Sequence, residues 1–124
     1  MAVKVVDASA IAALLFGEPE AESVAKQLDA SRLVAPALFG FELANVCTIK
    51  TRRHPERREA LATAFRLRER LSIESVSVNH DDVPGLAATV GLTAYDASYL
   101  WLARQLGVEL VTLDRQLGRA AASL

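Results

Sequence analysis

The chain is poor in the residues that staple, span or decorate a protein. Cys47 is the single cysteine among 124 residues, so no internal disulfide forms. The two histidines, His54 and His80, have no ligand spacing to each other. Aromatic residues make up 6%, and the formal charge is only −1, which excludes a surface that is basic all over and grips nucleic acid from every side. The longest apolar stretch, AIAALLF at residues 10–16, is far short of the ~20 residues a membrane span needs. The opening MAVKVVDAS has no basic segment leading into a long apolar run. These absences predict a soluble, cytoplasmic protein with no membrane association.

What the chain does have is apolar mass and alternating periodicity. At 52% hydrophobic, residues 1–124 suit one compact domain with a conventional core and no linker or repeat. AVKVVD is a β-branched run stopped by Asp7, and SAIAALLFG then turns to helix formers and ends at Gly17. EPEAESVAKQL reads as a second helix, with acids early and Lys26 late, and LVAP as a strand stopped by Pro36. From Ala37 to Thr51, Leu38, Phe41, Val46 and Ile49 recur at helical spacing, which predicts a third, largely buried helix. A fourth helix is expected from about Pro55 to Leu71. IESVSV alternates like a strand, and DDVPGLAATVG is weakly helical with an interruption at Pro84-Gly85. AYDASYLWLARQLG is a strong helix, ELVTLD a strand ending in acid, and RQLGRA a last short helix. Strands alternating with helices predict an α/β fold, a short parallel sheet covered on both faces. In such sheets ligands sit beyond the carboxyl ends of the strands.

Four acids stand out against that rule, two of them at strand ends. Asp7 and Asp114 each close a strand and precede a helix, a placement that an N-cap alone explains. Asp96 follows Thr93 at capping-box spacing. Glu42 has no cap to serve, because it lies inside the third helix among Leu38, Phe41, Asn45 and Val46, where a carboxylate needs a cation, several donors or water. Asp7 and Asp114 leave strand ends and Asp96 begins a helix expected to enter from the same edge of the sheet, so these three are expected to converge there. Pairs of carboxylates ~5 Å apart repel by roughly 3 kcal/mol at an effective dielectric near 20, so the cluster calls for a counter-charge. Hard oxygen ligands without His or Cys point to Mg²⁺ or Mn²⁺, and such ions serve phosphodiester hydrolysis.

The segments VVDAS, FELANV, TAYDASYLWLARQLG and LVTLDRQL, with acids in the order Asp, Glu, Asp, Asp, resemble the PIN domain, specifically the VapC-type toxins, over nearly the whole chain. The resemblance implies a three-layer α/β/α sandwich and a Mg²⁺-dependent endoribonuclease held inactive by a cognate antitoxin, with a homodimer as the expected assembly. It implies catalytic and metal-binding roles for Asp7, Glu42, Asp96 and Asp114, with Ser9, Asn45 and Thr112 as supporting polar positions. The chain departs from the pattern at Gln116 and Leu117, where some relatives carry a further acid or hydroxyl that would serve a second metal.

Residues 50–70 hold eight basic side chains against three acids, a local charge of +5. Arg52, Arg53, Arg57 and Arg58 are therefore candidates for contact with RNA phosphates or a partner, beside the plainer reading of a solvated face. Tyr95, Tyr99 and Trp101 are expected in the core. A receiver domain would need an acidic pair after the first strand and a late Lys, and neither is present. The rival reading is a catalytically degenerate PIN-like module that only binds RNA or antitoxin, against which all four acids speak.

Overall fold

A computed structural model describes residues 1–123. The strands are β1 (Ala2–Val6), β2 (Ser31–Ala35), β3 (Glu74–Ser75) and β4 (Glu109–Val111), all parallel in the order β3-β2-β1-β4. Between them run α1 (Ala8–Leu15), α2 (Ala21–Leu28), α3 (Leu38–Arg53), α4 (Arg58–Arg66), α5 (Val83–Val90) and α6 (Ala94–Leu106), and α7 (Arg115–Ala122) follows β4. Helices α1 to α4 pack on one another, and α5 to α7 form a second group. Val5 and Val6 point to opposite faces of β1 and both are fully buried, so the sheet is covered on both sides as the α/β/α reading expects. Ile11, Leu43, Tyr99, Leu100 and Leu117 carry the core to the two helical layers.

Strand β1 pairs with β2 on one side and with β4 on the other, with Val5 opposite both Val34 and Leu110. The chain moves outward from β1 through β2 to β3 and then crosses back to β4, so the order reverses between β1 and β4. The carboxyl ends of these two strands therefore flank the switch point of the sheet. Helix α6 runs into β4 through Gly107, whose φ of +65° ends the helix in the left-handed region that glycine favours. It runs antiparallel to β4, and its N-terminus returns to the carboxyl edge.

Several expectations need correction. Helix α3 buries Phe39 and Leu43, while Phe41 is 84% exposed and Ile49 38% exposed, so α3 is not largely buried. Its core stripe starts at Phe39 and runs through Leu43 at the i, i+4 spacing, turned away from the face that Phe41 occupies. The expected fourth helix is broken into a turn of 3₁₀ helix, α4 and a second 3₁₀ stretch ending at Ser72, which holds a left-handed φ of 51°. IESVSV contributes only the two residues of β3. Pro84 interrupts nothing, because it lies in the first turn of α5, where no backbone N–H is needed from it. Tyr95 is 66% exposed, not in the core, whereas Tyr99 is buried as expected.

Candidate active site

Asp7 leaves β1 and caps α1. Its Oδ1 accepts from the Ala10 backbone N–H at 3.1 Å and from the Ser9 hydroxyl at 2.7 Å, and its Oδ2 accepts from the Thr112 hydroxyl at 2.5 Å. These bonds tie the end of β1 to the segment after β4, because Thr112 Oγ1 also accepts from Asp114 N–H at 3.0 Å and Ser9 Oγ accepts from Leu113 N–H at 2.9 Å. Burial pushes the Asp7 carboxyl up from its ordinary value, more than the two hydroxyls and the Ala10 amide pull it down, and Asp114 adds to the rise.

Asp114 caps α7 by accepting from Leu117 N–H at 2.9 Å. At the start of α6, Thr93 is the cap, its hydroxyl accepting from Asp96 N–H at 3.1 Å. The Asp96 carboxylate makes no hydrogen bond among the described residues, so only the Thr93 half of the capping box forms. Partial burial, then the charges of Asp114 and Asp7, raise its proton affinity. Glu42 lies one turn into α3 and is met by the buried Tyr99 hydroxyl, which donates to Oε1 at 2.5 Å. Burial again raises the Glu42 carboxyl, Tyr99 opposes the rise, and Asp96 and Asp7 add to it. Burial and Glu42 in turn push the Tyr99 phenol far above its ordinary value.

The four acids therefore share one electrostatic environment at the switch point. The ion pairs found among the described residues lie elsewhere: Lys4 with Glu109, Arg32 with Glu74, Lys50 with Glu18, and His54 with Glu56. The positive N-terminal ends of α1, α3, α6 and α7 are what the fold offers these carboxylates in place of a basic side chain. In the side-chain positions seen, no three acidic, histidine or cysteine residues among those described converge on one point at ligand distance. The donor set nonetheless fits a hard divalent cation in its chemistry: it is all carboxylate oxygen, and Asp7, Glu42 and Asp96 are raised first by burial and then by the charge of neighbouring acids. Asp7, Asp96, Asp114 and Glu42 are the residues that would hold such an ion.

The other expected residues divide. Ser9 and Thr112 stand against Asp7. Asn45 is exposed and forms no side-chain hydrogen bond among the described residues, so the structure does not join it to the acids. Arg52, Arg53, Arg57 and Arg58 are exposed around the far end of α3; Arg52 lies ten residues beyond Glu42, about 15 Å along the helix axis at 1.5 Å per residue. The residue that sequence reasoning missed is Tyr99, whose spacing of three from Asp96 places it on the same side of α6.

A buried parallel sheet with carboxylates at its switch point defines the class of protein, and similarity to known proteins identifies the family. The PIN domain model matches residues 4–123, and the chain belongs to that family. It is of the VapC type: it is 35% identical over 125 residues to Ribonuclease VapC3 of Pyrobaculum aerophilum, covering 97% of this chain and 95% of that protein. Among solved structures, PAE2754 of Pyrobaculum aerophilum superposes with a TM-score of 0.77 at 28% identity, over 96% of this chain and 84% of the other. The sarcin-ricin loop cleaving toxin VapC20 of Mycobacterium tuberculosis superposes with a TM-score of 0.64 over 94% of each chain; at 21% identity it supports the fold alone.

Proposed function

We propose that the protein is a Mg²⁺-dependent endoribonuclease toxin, with Mn²⁺ as an alternative ion, kept inactive by a cognate antitoxin. The observation that supports this reading is that Asp114 and Asp7 act on Asp96, and Asp96 and Asp7 on Glu42, through their charges, with no basic side chain among the described residues paired to any of the four. The ribonuclease name of its 35% identical relative agrees with it. When bound, a divalent ion supplies an acidified water and offsets charge on the phosphoryl group.

The chain's own residues provide position. Ser9, Thr112 and the Ala10 amide lock the Asp7 carboxylate in one orientation, and Tyr99 does the same for Glu42. Asp96 keeps its whole acceptor capacity for what enters the site. Hydrolysis adds water to phosphorus and breaks the P–O bond to the leaving ribose oxygen. Arg52, Arg53, Arg57 and Arg58 offset phosphate charge away from the acids. The antitoxin docks over the helices of the first layer and directs a basic side chain at the acids, and a homodimer and a cytoplasmic location complete the reading. No helix among the described residues is long and apolar enough to cross a membrane.

The test is cleavage of structured RNA by purified protein with Mg²⁺ or Mn²⁺. Cleavage is expected to stop with EDTA and in Asp96→Asn, and the antitoxin is expected to suppress it. Cleavage that survives chelation, or a fully active Asp96→Asn, overturns the proposal.

A further inference from the structure

Among the described residues few large apolar side chains stay exposed, and three of these seven directly precede an acid of the site: Phe41 before Glu42, Tyr95 before Asp96 and Leu113 before Asp114. Phe41 is 84% exposed and Tyr95 66%. Neither ring is used by the core, which takes Phe39 and Leu43 from α3 and Tyr99 and Leu100 from α6. Successive helical residues are turned by about 100°, so each ring flanks the face that presents its neighbouring acid. Phe41 is the fourth residue of α3 and Tyr95 the second of α6, and helical side chains lean toward the N-terminus. Both rings therefore lean out over the carboxyl edge of the sheet. Beside Phe41, a Cβ built on Gly40 would meet nothing within 4 Å, so this side of the helix is open to a flat group.

Resting on the nuclease reading above, we propose that Phe41 and Tyr95 are stacking platforms for unpaired RNA bases on either side of the phosphodiester presented to the acids. The site's charge gives such contacts a use. Its carboxylates repel phosphates, and the exposed arginines begin about 15 Å further along α3 by the helical rise. Stacking carries no charge and accepts any base, because every base has a π-face. Bases paired within a duplex have no free face, so the platforms select loops and single strands. The two rings stand on different helices, each one residue before an acid of the site, and this arrangement suits a chain of separate bases better than one continuous apolar partner surface.

The experiment compares oligoadenylate with a chain of abasic ribose phosphates of the same length, both fluorescein-labelled, binding to cleavage-silent Asp7→Asn protein in Mg²⁺. The two probes carry equal charge and differ only in bases. Phe41→Ala and Tyr95→Ala are each expected to weaken oligoadenylate binding by roughly tenfold. They should leave the abasic chain's affinity and the salt dependence of both unchanged, while Phe41→Tyr and Tyr95→Phe retain full affinity. Equal losses on the two probes, no loss on either, or intact RNA binding with loss of self-association or antitoxin binding would overturn the proposal. If wild type cuts RNA while removing the rings changes nothing, the platforms alone fail. If wild type neither binds nor cuts RNA, the nuclease reading fails with them.

Discussion

Asp96→Asn is expected to stabilise the protein in the absence of divalent metal. The cap of α6 survives the change, because it is formed by the Asp96 backbone N–H and the Thr93 hydroxyl, and the carboxylate has no hydrogen bond among the described residues to lose. What disappears is a negative charge facing Asp114 and Asp7. Two unit charges about 7 Å apart repel by roughly 2 kcal/mol at an effective dielectric of about 20. The mouth of the site is open to water, and screening reduces each such repulsion to about 1 kcal/mol. Losing an acid from the first turn of α6 costs about 0.5 kcal/mol of favourable dipole interaction, so two repelling neighbours outweigh it. A net gain of about 1.5 kcal/mol moves Tm by roughly 5–7 °C in a domain of this size.

The pH dependence supplies the sign. A carboxyl whose proton affinity is higher folded than unfolded binds more protons in the native state. Wild-type stability therefore falls as pH rises from the ordinary 3.8 through the raised value, and the loss is complete above it. The advantage of Asp96→Asn should be full at pH 7 and absent below pH 3.8. Mg²⁺ should close the gap by stabilising wild type more than the variant. Thermal melts in EDTA and in Mg²⁺ at both pH values measure this. A variant melting below wild type in EDTA at pH 7, or an offset independent of pH, would show that Asp96 is not held against its neighbours' charge.

Tyr99→Phe keeps the ring in the core and removes the hydrogen bond that, among the described residues, lowers the Glu42 proton affinity, so the acid limb of metal-dependent cleavage should move to higher pH; a kcat/KM profile that does not move would detach Tyr99 from the site. Thr112→Val strips a donor from Asp7 and an acceptor from Asp114 N–H, and should cost about 1–3 kcal/mol in urea unfolding, with Thr112→Ser restoring most of it. Replacing Arg57 and Arg58 by Gln should lower the slope of log affinity against log salt by ~0.7 for each phosphate no longer neutralised on single-stranded RNA, and an unchanged slope would return both to the solvated-face reading.

Much of this arrangement is legible in the sequence because β-branched runs that stop at an acid carry two signals at once. Asp7 and Asp114 read as caps and as site residues, and the structure makes both caps while placing them at the switch point. At Asp114 the two readings do not compete, since capping uses one carboxylate oxygen and leaves the other without a hydrogen bond among the described residues; at Asp7 the second oxygen accepts from the Thr112 hydroxyl instead. Helix α3 is harder to orient. Its apolar residues support two overlapping stripes, and only tertiary packing decides that Phe39 and Leu43 face inward while Phe41 faces water. The same ambiguity hides Tyr99, because an aromatic in an apolar helix reads as core whether or not its hydroxyl finds a buried partner. Strand β3 is short for a different reason: as an edge strand paired only with β2, it gains hydrogen bonds on one side alone.

The acids are not equivalent, and their differences order their dependence on a counter-ion. Asp7 is the most buried and the best served, with two hydroxyls and an amide on its oxygens. Glu42 has the Tyr99 hydroxyl, and Asp114 has an amide of α7. Asp96 has the end of a helix and no donor among the described residues. Every hydrogen bond that stabilises the ionised form also takes up a lone pair that a cation would otherwise use. The fold therefore secures Asp7 at the expense of its free valence and leaves Asp96 with charge and capacity both uncommitted. On this reasoning Asp96 gains most when positive charge enters the site, and its substitution should separate metal affinity from stability more cleanly than that of any other acid in the group.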